Sequence, residues 1–107
     1  MMQPDVFLGR RQRTAAGNTR FRVFFNRTLP DGTLVHGHGT FIARRNEAGF
    51  RGRQWEVVGA TDDIAPRSLG FHRDDLSTRT EAIELAVGFI KEQLQIRTLI
   101  EQMEASK

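Results

Sequence analysis

The segment from Thr78 to the C-terminus limits the possible folds of this chain more than any other. Thr78-Arg79-Thr80-Glu81 matches a capping box, in which the Thr78 hydroxyl accepts from the Glu81 N–H and the Glu81 carboxylate reaches back to the Thr78 N–H. No proline and only one glycine, Gly88, follow, so we predict one helix over about residues 79–104. At about 1.5 Å per residue it is on the order of 39 Å long, against about 26 Å for a strand of eight residues. We therefore expect one end of the helix to overhang its sheet, or the helix to break near residues 95–98.

The predicted helix is apolar on two nearly opposite sides. At about 100° per residue, one stripe is formed by Ile83, Val87, Ile90 and Leu94. The same phase then reaches Arg97 and Glu101, so this stripe ends at Leu94. The second stripe consists of Ala82, Leu85, Phe89, Ile96, Leu99, Ile100 and Met103.

A single sheet covers only one of these two stripes, so the helix is expected to have a second partner. Two-fold dimers are the commonest oligomers, which makes the same helix of another copy the simplest choice. We therefore predict a homodimer, with an interface formed by Phe89, Ile96, Leu99, Ile100 and Met103. The alternative is that the N-terminal arm or the connection over residues 60–76 covers the second stripe within one chain.

Three strands are predicted before the helix. Residues 20–29 alternate, with Phe21, Val23 and Phe25 on one face, and Pro30-Asp31-Gly32 supplies a hairpin turn. Residues 33–45 return, with Gly37 and Gly39 marking a bulge or a close backbone approach, and residues 50–59 form the third strand. Residues 60–76 read as a loop that Ile64, Leu69 and Phe71 pin to the core. The predicted fold is a two-layer α+β domain over residues 20–107: a three-stranded antiparallel meander packed against one long C-terminal helix.

Residues 1–19 are predicted to be a flexible basic arm. They contain the cluster Arg10-Arg11-Gln12-Arg13 and one apolar triplet, Val6-Phe7-Leu8. Chain termini of this composition usually stay mobile unless something docks them. The triplet could instead add an edge strand to the sheet.

Composition narrows the class of protein. A chain of 107 residues allows one domain, and the absence of cysteine excludes disulfides, thiolate metal sites and a cysteine nucleophile. No apolar run approaches the roughly 18 residues of a membrane-spanning helix, and no signal peptide is recognisable. We therefore expect a soluble, cytoplasmic protein.

The charges are distributed unevenly along the chain. Residues 1–60 hold 10 Arg and 4 acidic residues, whereas residues 61–107 hold 6 basic and 9 acidic residues, which together give the net charge of +3. The basic half repeats cations and aromatic rings with strand spacing. Such an arrangement suits nucleic acid, because cations hold phosphates and a ring stacks on a base.

We predict a nucleic-acid-binding or regulatory module that acts through this Arg/aromatic sheet face. The predicted contacts are Arg20, Arg22, Phe24, Arg51, Arg53 and Trp55, with Arg10, Arg11 and Arg13 as an accessory arm. Trp55 shares a side with Val57, which favours burial, so the alternative is that Trp55 belongs to the core. The other function considered is a protein-interaction module, such as an adaptor or an antitoxin-like partner, acting through the second stripe of the helix.

Other chemistry has little support in the sequence. His36 and His38 are spaced to share one strand face, but no third metal ligand lies nearby in the sequence. No phosphate loop, dinucleotide fingerprint or nucleophile elbow is present. Thr-x-x-Glu-Ala over residues 78–82 resembles the helix start of phage-integrase arm-binding domains and HicB-like antitoxins, yet a capping box is generic and assigns no family. We therefore expect no enzyme activity, no metal and no cofactor.

Overall fold

The sheet of this protein is antiparallel throughout and has six strands, in a computed structural model that describes residues 5–48, 52, 54–64 and 68–106. The strands are β1 (Asp5–Leu8), β2 (Gln12–Arg13), β3 (Thr19–Thr28), β4 (Leu34–Arg45), β5 (Trp55–Thr61) and β6 (Leu69–Leu76), followed by α1 (Arg79–Ala105). Their order in the sheet is β1-β3-β4-β5-β6, and the short β2 also pairs with β3. The α+β class and the C-terminal helix are as predicted.

The β3–β4 hairpin forms the centre of the fold. Phe21, Val23 and Phe25 are buried beneath the helix, as their alternation predicts. The turn is closed by the Leu29 N–H, which donates to the Thr33 carbonyl at 2.8 Å, and Gly32 takes the positive φ (89°) expected of it. Pairing runs without a bulge from Thr28–Leu34 to Thr19–Ala43.

The two glycines in β4 mark close approaches. A Cβ on Gly39 would lie 2.7 Å from the Phe41 ring and 3.0 Å from Ile90 of the helix. A Cβ on Gly37 would lie 2.6 Å from Cβ of Asp63. These positions therefore admit the core rings and the loop after β5 close to the backbone.

The sheet corrects two sequence predictions. Residues 69–76, predicted as loop, form β6, with Phe71 opposite Gly59 and His72 opposite Val58. The charged run that follows Phe71 hides this strand, because half of it faces solvent. At the other edge, the predicted unstructured arm is not confirmed: residues 5–8 and 12–13 pair with β3, whose edge would otherwise lack hydrogen-bond partners.

The helix crosses the sheet unbroken through residues 95–98. Its first stripe is the core side, since Ile83, Ile90 and Leu94 are buried. At its start, the Thr78 hydroxyl accepts from the Glu81 N–H at 3.1 Å as predicted, while the Glu81 carboxylate accepts from Ser77, one residue earlier than predicted. Within the described residues, no helix is both long and apolar enough to cross a membrane.

The second stripe divides into a largely covered half and an exposed half. Ala82 is buried, and Phe89 stacks on Phe71 of β6 with ring centroids 4.6 Å apart. β6, in the connection that the intrachain alternative named, thus covers Phe89, whereas Leu85 of the same half is 36% exposed. The second half contains Ile96, Leu99, Ile100 and Met103, which are 42%, 53%, 39% and 69% exposed.

Candidate nucleic-acid interface

The face of the sheet turned away from α1, called the outer face below, carries three of the predicted contact residues. Arg20, Arg22 and Phe24 alternate with the buried side chains of β3 and therefore share this face. Arg20 and Arg22 are exposed, and Phe24 is half-buried. The alternation of one strand thus brings these three together as the sequence predicts.

A row of rings crosses three strands on the outer face. Phe7, Phe24 and His38 are direct neighbours in register across β1, β3 and β4. The Phe7 and Phe24 rings are stacked, with centroids 5.7 Å apart and an interplanar angle of 18°, and the His38 ring lies 5.7 Å from Phe24 at 43°. Phe7 is 50% exposed and is therefore more accessible than Phe24.

The chain after β1 holds this row in place. The Gly9 N–H donates to the Arg22 carbonyl at 2.8 Å, and a Cβ at Gly9 would collide with the Phe24 ring. Glycine at this position therefore lets the backbone pass beside the ring. Because Gly9 and Phe7 both lie against Phe24, the ring free to stack on a ligand is Phe7.

Arg20 and Arg22 have no hydrogen-bond or ion-pair partner for their side chains among the residues described. Arg10 and Arg11, in the connection between β1 and β2, are also exposed. Arg13 lies opposite Thr19, a residue of the helix-side face, so it is not part of the outer face. The β1–β3 edge of the outer face therefore combines open cations with the ring row.

The opposite part of the outer face is electrostatically neutralised. The Glu56 carboxylate accepts from Arg44 Nε at 2.8 Å and from His72 Nε2 at 2.9 Å. The hydrogen bond from His72, followed by the bond and charge of Arg44, lowers the pKa of Glu56 below its ordinary value of 4.5, although burial opposes this shift. Arg44 is thereby committed to an internal partner.

One predicted contact of β5 lies on the helix side of the sheet, not on the outer face. Trp55 packs against the core on the helix side, beneath the Arg45 guanidinium at 5.8 Å, as the alternative interpretation held. Arg51 and Arg53 lie outside the described residues. Among the described strand residues that the sequence predicts as contacts, those on the outer face all belong to β3.

The two strand histidines have separate partners. His36 Nδ1 lies 2.5 Å from the Asn26 side-chain oxygen. His38 Nδ1 lies 3.7 Å from the Asp63 carboxylate, which also accepts from the His38 backbone N–H at 2.9 Å. His38 thus links the ring row to the loop after β5.

The residue that sequence reasoning missed is Phe7. The available signal was the triplet Val6-Phe7-Leu8. If the triplet is a strand, its central side chain lies on the opposite face of the sheet from the side chains of its two neighbours. In register, Phe7 is paired with Phe24 and Val6 with Phe25, so one ring faces outward.

Comparison of the chain with protein-family models, with curated proteins and with solved structures finds no match.

Proposed function

We propose that the outer face binds single-stranded nucleic acid. The observation that carries this proposal is the open pair Arg20 and Arg22 beside the stacked rings of Phe7 and Phe24. Guanidinium groups bind phosphate oxygens, and an exposed ring stacks on any base because every base has a π-face. The guanidinium groups thus suit the phosphate of a nucleotide, and the exposed ring suits its base.

The accessible ring favours a single strand over a duplex. In a duplex, both faces of an internal base are already stacked on neighbouring base pairs, and Phe7 lies on a sheet rather than on a projecting wedge. An unpaired strand offers both its phosphates and its base faces to such a surface. The proposed place of action is the cytoplasm, where nucleic acid is available.

We also propose that two copies associate through the second half of α1. This is supported by the exposure of Ile96, Leu99, Ile100 and Met103. Phe89, predicted as a fifth interface residue, is instead engaged with Phe71. The predicted alternative, capture of a different protein by the same residues, remains an outcome of the tests below.

The experiment is a titration of the protein into a short, end-labelled single-stranded oligonucleotide of mixed sequence, followed by fluorescence anisotropy at several salt concentrations. The Arg20→Ala/Arg22→Ala variant is expected to bind more weakly. The slope of log K against log salt is negative, and each lost phosphate contact reduces its magnitude by about 0.7. The salt dependence of the double variant is therefore expected to be less steep by about 1.4.

The matched control is Arg79→Ala/Lys91→Ala, which removes the same charge from exposed positions on α1. It is expected to keep nearly the wild-type slope. Equal loss in both double variants means that only net charge matters, and absence of binding by the wild type at low salt rejects the proposed function. An unlabelled duplex of the same sequence, added as competitor, is expected to displace the single strand poorly.

A further inference from the structure

The second half of α1 has the pattern of a helix-pairing seam. Ile96, Leu99, Ile100 and Met103 follow the spacing i, i+3, i+4, i+7 on an unbroken helix. We call these four residues the C-terminal apolar patch. The spacing is that of one heptad of a coiled coil, in which each side chain inserts between side chains of a facing helix.

One side of the C-terminal apolar patch carries complementary charges. Arg97 and Glu104 are seven residues apart, which is nearly two full turns, so both flank the patch on the same side. Glu104 is exposed and makes no ion pair within the described part of the chain. Arg97 Nε lies 3.2 Å from a Glu101 oxygen that Arg27 already approaches to 2.6 Å, so two guanidiniums share one carboxylate and Arg97 keeps donors to spare.

The relative direction of two paired helices decides which residues of the second copy face Arg97 and Glu104. When two copies of a helix pair antiparallel about a two-fold axis, each flank of one helix faces the same flank of the other copy, with the residue order reversed. When they pair in parallel, it faces the opposite side, which carries Gln95 and Gln102. Antiparallel pairing therefore matches Arg97 with Glu104, whereas parallel pairing leaves both charges unmatched.

We infer that two copies of this chain pair their α1 helices antiparallel, with the two-fold axis between Leu99 and Ile100. This inference rests on the self-association proposed above. The axis places Ile96 opposite Met103 of the second copy, and Leu99 opposite its Ile100. It also brings Arg97 within an axial offset of about 3 Å of Glu104 of the second copy, which two long side chains span easily. The symmetry repeats each contact, so both ion pairs form together.

The chain has no cysteine, which allows the direction to be tested by disulfide trapping. Ile96→Cys and Met103→Cys proteins are prepared separately, one of them labelled with a heavy isotope, and are mixed and oxidised under mild conditions. Antiparallel pairing predicts a 96–103 disulfide between chains, because facing residues come within the Cα separation of about 4.4–6.8 Å that the bond needs. Leu85→Cys is the control, since this partly exposed residue of the same helix side has no counterpart in the proposed register.

Sedimentation equilibrium on the wild-type chain, on Glu104→Arg and on Arg97→Glu/Glu104→Arg completes the test. Placing two like charges at each of the two contacts is expected to weaken association about tenfold in Glu104→Arg, and reversing both charges to restore most of it.

The outcomes separate the three proposals. A wild-type mass of 12.2 kDa at every concentration overturns self-association and, with it, the pairing. A dimer that gives 96–96 and 103–103 disulfides, with no 96–103 product, overturns only the antiparallel direction. Neither result bears on the oligonucleotide titration, which measures the opposite face of the sheet.

Discussion

Arg27 of β3 and Glu101 of α1 form an ion pair of 2.6 Å in which both side chains are almost buried, at 8% and 11% exposure. Each residue interrupts an apolar pattern: Arg27 stands on the core face of its strand, and Glu101 continues the core stripe of the helix. The two interruptions lie 74 positions apart in the chain and compensate each other in the fold. They fix where the helix crosses the end of β3.

Removing one partner of this pair is expected to destabilise the fold strongly. Glu101→Gln leaves the Arg27 cation nearly buried with no carboxylate, and Arg27 Nε already has no hydrogen-bond partner among the described residues. The expected loss in the free energy of unfolding, measured by urea denaturation, is about 3 kcal/mol. Arg27→Met/Glu101→Met is expected to recover most of it, because apolar replacements leave no charge to desolvate. A loss below about 1 kcal/mol in Glu101→Gln indicates that the pair is effectively solvated.

Two strand glycines are expected to respond oppositely to alanine. A Cβ on Gly59 would lie 2.8 Å from the Phe41 Cα and would collide with the Thr40 carbonyl, and neither backbone atom can move without opening the β4–β5 pairing. Gly59→Ala is expected to lower the free energy of unfolding by about 1–3 kcal/mol. Gly70→Ala is the matched control, because open space surrounds that position, and it is expected to gain about 0.5–1 kcal/mol. Equal effects of the two substitutions in urea denaturation argue against a tight approach at Gly59.

The sequence predicts what local chemistry determines. The alternation of β3, the turn at Gly32, the Thr78 cap and the core side of α1 each depend on residues close together in the chain, and each is found. β1 and β6 become strands through their pairing with β3 and β5, and neither segment carries enough alternation of apolar and polar residues to predict a strand by itself. The candidate interface follows the same division: Arg20, Arg22 and Phe24 come from one strand, whereas Phe7 joins them only through pairing in the sheet.

The change in the free energy of unfolding at acidic pH is expected to depend on Glu56. Hydrogen bonds from His72 and Arg44 hold the pKa of this carboxyl below its ordinary value of 4.5 in the folded chain. The folded state therefore binds fewer protons than the unfolded state in this range, so the contribution is complete above pH 4.5 and is lost as the pH falls through the lowered value. The stability difference between wild type and Glu56→Gln, measured by urea denaturation, is expected to be constant above that pH and to shrink below it. His72→Ala removes the largest cause and is expected to reduce the pH-dependent part, whereas an unchanged profile in both variants contradicts this assignment.

Phe7 is expected to contribute base stacking without contributing charge. Phe7→Ala removes the accessible ring and is expected to weaken binding of single-stranded oligonucleotide by about 1–3 kcal/mol, while the salt slope stays unchanged. Phe7→Trp keeps a stacking surface and is expected to bind at least as well as the wild type. Leu34→Ala, at an exposed apolar position farther along the outer face, serves as the control and is expected to have little effect. Weak binding by both Phe7→Ala and Leu34→Ala would assign the loss to general apolar surface instead of stacking.

Leu99→Asp is expected to separate self-association from nucleic-acid binding. Leu99 is 53% exposed and lies beyond the buried part of α1, so a carboxylate at this position costs little in the isolated chain. In the proposed pair it would face Ile100 of the second copy and would lose its hydration, so the variant is expected to sediment as a monomer. Leu85→Asp, 36% exposed in the first half of the helix, is the control and is expected to keep the wild-type mass. A monomeric Leu99→Asp that still binds oligonucleotide supports two independent surfaces. If the wild type is itself monomeric, and Leu99→Asp abolishes its complex with a different protein, the alternative of a protein-interaction module replaces the dimer.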